Sequence, residues 1–180
     1  TLTEDGVLDV QGGTAGVYLA LNSGARIDRI ASAAASRYGD VVVTATEDLL
    51  AGPTALATGA AHVTGRSLAL TSTLGAVGAD GTPLVLGARP AVFVSGARDG
   101  RVSVSALNDI FVRQIGGDLL VDAIESQTGD VFLEVAGGSL FDARGQTAAQ
   151  VLDAEQLAQV WSRLHLTAEN GAEANARLSV

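Results

Sequence analysis

Asp109, Asp118, Asp122, Glu125 and Asp130 fall close together in the chain. Two carboxyls placed across a sugar are what glycoside hydrolysis needs. Lyases acting on acidic polysaccharides need a base, a Lys or Arg to stabilise an enolate, and often a carboxylate-bound Ca²⁺. All 11 basic residues here are Arg, and no acidic cluster accompanies one. Each of the five carboxylates borders a Gly-based turn or takes the outward place of an alternating run. They read as solvated surface groups, not as a catalytic pair.

Other chemistries find less. His62 and His165 stand far apart with no His or Cys companion, and the chain has no Cys at all. That removes disulfides and thiolate metal sites. His62 reads as a turn or strand-end residue, and His165 as the C-terminus of a helix, where positive charge is favoured. Gly-Gly-x-Gly-x-Asp calcium repeats are absent, and Gly137-Gly138 and Gly116-Gly117-Asp118 only echo them. Gly12-Gly13 lacks the Lys of a phosphate loop. Gly-x-Ser-x-Gly, the mark of a strained nucleophile turn, does not occur. The sequence assigns no catalytic residue, metal ligand or cofactor, and the expectation is a protein that is not an enzyme.

Composition points to a thin, repetitive β structure. Aromatics are 4% of 180 residues, charged residues 17%, and Gly numbers 22. Net charge is −9 and there is no Lys, so phosphate-backbone binding has no electrostatic basis and nucleic acid is not expected. No stretch has the length of a membrane span. Met is absent even at position 1, so the chain is expected to be trimmed or cut from a longer protein.

Period-2 alternation predicts short strands almost throughout the first 143 residues. They begin at Val7, Val17, Val41, Leu68, Leu84, Val92, Val102, Ile110, Leu119 and Val131. Turns such as Gly39-Asp40, Asp80-Gly81, Gly117-Asp118 and Gly129-Asp130 separate them. In such pairs Gly can take positive φ without a Cβ clash and Asp can bond its own backbone, so tight turns are expected there. An antiparallel β-sandwich and a parallel β-helix (β-solenoid) both fit such spacing. The solenoid is favoured because like triplets recur: Val41/Val43/Ala45, Leu68/Leu70/Ser72, Val102/Val104/Ala106, Leu119/Val121/Ala123 and Val131/Leu133/Val135. A narrow coil interior would take these small and aliphatic residues and few aromatics.

After Gly145 the pattern changes. Val151, Ala154, Leu157, Ala158, Trp161 and Leu164 recur at helical spacing, and Thr147/Gln150 and Asp153/Gln156 could form capping boxes. An amphipathic helix is predicted from 148 or 153 to about 165. The expected organisation is solenoid coils over 1–145 and a helical segment over 146–180 that packs on or caps them.

The four Phe residues fall at the second place of apolar pairs or triplets. With their neighbours inward, alternation sends Phe93, Phe111, Phe132 and Phe141 outward, with Val42 and Leu120 beside them. Exposed apolar patches usually mark contacts. The stripe is expected to meet either the helix face of Val151, Leu157, Trp161 and Leu164, or another copy or a partner protein.

The strings GAVGADGTPLVLGARPAVFVSGARDGRVSVSALNDIFV and GDLLVDAIESQTGDVFLEVAGGSLFDARG, with the Gln- and Trp-containing segment after them, resemble parts of large secreted bacterial exoproteins. They are similar to the filamentous-haemagglutinin class of adhesins, over roughly residues 68–165. The resemblance implies coils of a right-handed parallel β-helix, exposed on or shed from a bacterial cell surface, with no binding residue to carry over. The expected partners are other regions of a parent exoprotein and copies of the chain itself in a fibre. No receptor is identified. A self-assembling filament or surface-layer subunit, and a polysaccharide-binding or polysaccharide-degrading β-helix, are the alternatives.

Overall fold

The computed structural model describes residues 7–34, 37–88, 100–142 and 164–168. Within them the chain winds as a parallel β-solenoid of about five turns, as the triplets predict. It passes alternately through two sheets. The larger runs β1 (Val7–Gly12), β3 (Ala25–Ala34), β7 (Val63–Gly65), β9 (Leu84–Ala88), β11 (Ile110–Ile115), β13 (Val131–Ala136) and β15 (Leu164–Ala168). Two short strands, β4 (Arg37–Tyr38) and β6 (Leu49–Ala51), pair with β3 off this path. The smaller sheet runs β2 (Val17–Leu21), β5 (Val41–Ala45), β8 (Leu68–Ser72), β10 (Arg101–Ala106), β12 (Leu119–Ser126) and β14 (Leu140–Asp142). Pairing between strands is parallel except for the short hairpin of β3 with β4. A sandwich of antiparallel hairpins is thereby excluded.

Columns of like residues line the interior. Val41, Leu68 and Val102 stand in register, as do Val43, Leu70 and Val104. Opposite them Leu84, Val112 and Leu133 form a row across β9, β11 and β13. These side chains are buried, together with Ile27, Ile30, Leu49 and Ile110. Burying a Val or Leu contributes about 1.5–3 kcal/mol. In a coil this narrow, stability therefore accumulates coil by coil.

Two bulges shift the alternation. In β3 the register skips Asp28, so Ile27 and Ile30 both point inward. In β12 it skips Asp122. The predicted triplet Leu119/Val121/Ala123 is corrected accordingly: Ala123 is exposed, and Ile124, in register with Val104, packs against the core. A bulge adds one residue and turns every later side chain to the other face.

One short helix, α1 (Pro53–Thr58), loops out between β6 and β7. Pro53 starts it, and Gly59 ends it at φ 66, a conformation that favours Gly. The predicted helix before residue 164 lies outside the described residues. Its final residues do not: Leu164 and His165 belong to β15, paired with Val131 and Phe132 of β13. Leu164-His165-Leu166-Thr167-Ala168 alternates with period 2, and the open edge of β13 offers it a full set of backbone partners.

Candidate functional site

The corners between strands show where the polar side chains go. Asp48 lies at the turn from β5 to β6, and its Oδ1 accepts the N–H of Ala76 at 2.7 Å from the next coil. Asp109 accepts the N–H of Asp130, 21 residues on, at 2.8 Å. Asp118 accepts that of Ser139, again 21 residues on, at 2.9 Å. In each case a Gly immediately precedes the donor: Gly75, Gly129 and Gly138. A Cβ on Gly75 would collide with Asp48 Oδ1, and one on Gly129 with Asp109 Oδ1. A Cβ on Gly138 would meet the Gly117 carbonyl. The Gly lets the coil settle onto the carboxylate below, and the next amide then bonds it.

Serines complete two of these corners. Ser72 Oγ donates to Glu47 O at 2.8 Å and accepts the N–H of Gly75 at 3.0 Å. Ser126 Oγ does the same with Asn108 O at 2.7 Å and Gly129 N at 2.8 Å. The sequence placed Ser72 inward, where it is, but missed this bonding role of both serines, although Ser-x-x-Gly recurs at 72–75 and 126–129 and was the available signal. A corner with Ser and Gly rests on a corner with Asp, first at Ala45–Asp48 under Ser72–Gly75 and again at Ala106–Asp109 under Ser126–Gly129.

The outer faces repeat the theme. Arg29 pairs with Asp9, Arg66 with Asp40, Arg101 with Asp122 and Arg113 with Glu134, each pair spanning adjacent coils. The two-pronged Arg66 contact, at 2.9 Å for both nitrogens, holds the Asp40 carboxyl below its usual pKa. Of the five clustered carboxylates, Asp109 and Asp118 cap backbone amides, and Asp122 binds Arg101 and Ser103. Glu125 and Asp130 are exposed as expected, whereas Asp109, Asp118 and Asp122 are half-buried and bonded from coil to coil. Among the described residues no group of three or more His, Cys, Asp or Glu could hold a metal ion.

Buried polar residues continue the ladder where backbone pairing stops. Gln114 is fully enclosed; its Oε1 accepts the N–H of Ala88, and its Nε2 donates to Ala88 O and Ile115 O. His62, expected at a turn or strand end, precedes β7 and is also fully enclosed, with Nδ1 accepting the Val85 N–H at 3.0 Å. Neither role was read from the sequence: alternation from Ile110 and Val112 points Gln114 inward but does not name its partner, and nothing in Gly59-Ala60-Ala61-His62 fixes a direction for His62.

The predicted aromatic stripe is not continuous. Phe111 and Phe132 are in register on the larger sheet, with ring centroids 4.5 Å apart and planes at 4°. Leu120 and Phe141 pair on the smaller sheet, which faces the other way. Leu120 is buried, and Phe141 stays exposed at 43%. Alternation places a residue in or out but cannot say which of two sheets its strand joins, so one expected stripe becomes two patches. Beside the Phe pair an open hollow of about 260 Å³ is lined by Asp80, Pro83, Phe111, Phe132 and Glu134. Phe93, Val151, Leu157 and Trp161 lie outside the described residues.

No protein-family model, curated protein or solved structure matches the chain. Among the described residues no helix is long and apolar enough to cross a membrane.

Proposed function

We propose that the chain is a non-catalytic structural module of a large secreted or cell-surface bacterial exoprotein of the adhesin class, a rigid β-helical spacer that displays other regions. One observation carries this reading. The side chains with hydrogen-bonding power at the corners reach the next coil instead of converging on a hollow. Such a chain is built for length and stiffness. At about 4.8 Å per coil, five coils add roughly 24 Å, and a longer parent would add more in the same increments. The sequence resemblance over residues 68–165 supplies the exoprotein class. Other regions of the parent are then the first partners.

A filament or surface-layer subunit is the second reading. It is favoured by the outer edge of β1 and β2, which has no neighbouring strand among the described residues and exposes Val7 and, at 65%, Tyr18. Unprotected edges template further strands. Light scattering over a concentration series, with electron microscopy beside it, separates the two. The spacer reading expects monomers at every concentration; ordered fibres with an axial repeat replace it with the filament. Turnover of a neutral or acidic polysaccharide by the same material would overturn the non-catalytic assignment.

A further inference from the structure

The segment between β6 and β7 leaves the coil at Gly52, forms α1 and returns to His62. There the histidine is built into the sheet. Its backbone N–H donates to Val85 O at 2.8 Å, and its carbonyl accepts the Ile30 N–H at 2.7 Å. Its ring then accepts the Val85 N–H at Nδ1. One residue thus holds both polar groups of the Val85 backbone and joins β3 to β9. Since Nδ1 accepts, the ring is neutral and carries its proton on Nε2.

We propose that His62 is an acid-sensitive clasp that holds the α1 insertion, residues 52–62, onto the solenoid at neutral pH and releases it on protonation. The proton arrives from solvent at Nδ1 and turns an acceptor into a donor. The Val85 N–H then loses its acceptor and faces another N–H. A buried imidazolium with that arrangement has no stable place, so the insertion must open to hydrate it.

The surroundings agree. Of the elements around the ring, β3 brings Asp28, while α1, β6, β7 and β9 carry no charged side chain. Arg29 of β3 is engaged with Asp9, and Arg26 is exposed. Burial lowers the pKa of His62 below the ordinary 6.5; the Gly52 carbonyl and the Asp28 charge oppose this more weakly. The opened form has the ordinary value and the closed form a lower one. Opening is therefore unaffected above about pH 6.5, rises by up to tenfold per pH unit below it, and levels off once the closed form itself protonates.

The test is hydrogen exchange of the whole chain between pH 7.5 and 4.5, expressed as protection factors. Expected is a fall of up to tenfold per pH unit for the Val85 amide and for residues 52–62, with the Val104 amide of β10 unchanged. In His62→Gln, whose Oε1 can accept the Val85 N–H as Gln114 accepts that of Ala88, the fall should vanish. Equal pH dependence in His62→Gln, or undiminished Val85 protection at pH 4.5, overturns the clasp. Should His62→Gln not fold, the His62 ring resonances of the native chain decide. A titration midpoint coinciding with the levelling of Val85 protection supports the clasp, and an unrelated midpoint overturns it.

Discussion

Gly129→Ala tests the corner directly. The added methyl would collide with Asp109 Oδ1 and sit 2.6 Å from Asp109 N and 2.8 Å from Asn108 C. The last two are backbone atoms, so no rotamer relieves them. Overpacking of this kind costs about 1–3 kcal/mol. Pushing the coils apart also lengthens the bond from Asp130 N–H to the Asp109 carboxylate, and a hydrogen bond to a charged group contributes about 1.5–3 kcal/mol. The expected loss is about 3–5 kcal/mol. Gly137→Ala is the control: φ is 76, but nothing lies within 4 Å of the new Cβ, so only the left-handed backbone penalty of about 1–2 kcal/mol applies. Denaturant midpoints for both variants, with native chain alongside, give the comparison. Asp109→Ala in the Gly129→Ala background should lose less than the sum of the single changes, since each removes part of the same contact. If Gly129→Ala proves as mild as Gly137→Ala, close coil contact at this corner is not what the Gly provides.

Gln114→Leu keeps the volume but strands the buried N–H and carbonyl of Ala88, at a cost of about 2–5 kcal/mol measured by the same unfolding midpoints. Ser126→Ala removes one donor to Asn108 O and one acceptor for Gly129 N–H, and should cost about 1–2 kcal/mol, whereas Ser23→Ala, whose Oγ reaches only the adjacent carbonyl, should cost less than about half of that. Asp40 titrates below the usual 3.8 because Arg66 holds its ionised form, so this stabilisation is complete above pH 3.8 and is lost as pH falls through the lower folded value. In Arg66→Met the Asp40 carboxyl resonance should move its midpoint upward, and stability at neutral pH should fall by less than about 1 kcal/mol, because both side chains are partly exposed.

The sequence carried the coil and the places where it turns, but not the bonds that tie one corner to the next. Val41/Val43/Ala45 and Val102/Val104/Ala106 could be placed inward because every second residue was apolar and the motif came back. The strand β3 was missed for the converse reason: with Asp28 bulged, Ile27 and Ile30 are three apart, a spacing no period-2 rule accepts. The same bulge logic displaced Ala123 by Ile124 at Asp122. Leu164 was assigned to a helix because Trp161 and Leu157 precede it at helical spacing. That pattern and the alternating Leu164/Leu166/Ala168 overlap in the sequence, and only the open edge of β13 favours the second. Phe111 and Phe132 were rightly sent outward, but their separation from Phe141 depends on which sheet each strand enters, which is a property of the winding.

Coil length follows the same division between what is fixed and what is free. Where the chain makes the shortest circuit, a residue returns over its counterpart after 19 to 21 positions, as Arg101 with Leu120, Asp9 with Arg29 and Asp109 with Asp130 do. Asp40 and Arg66 are 26 apart, and Asp48 and Ala76 are 28 apart, because the α1 insertion lies between them. Yet the Asp48 corner has the same carboxylate-to-amide bond and the same close Gly as the Asp109 corner. The ladder therefore registers corners on corners and ignores how far the chain strays between them. Closing a longer loop costs little, only about 0.6 kcal/mol per doubling of length. A solenoid held this way can accept insertions without losing its register, and insertions are where sequence is free to vary and to bind. For a spacer, that makes the excursions between coils, rather than the flat faces, the places to look for what a parent protein displays.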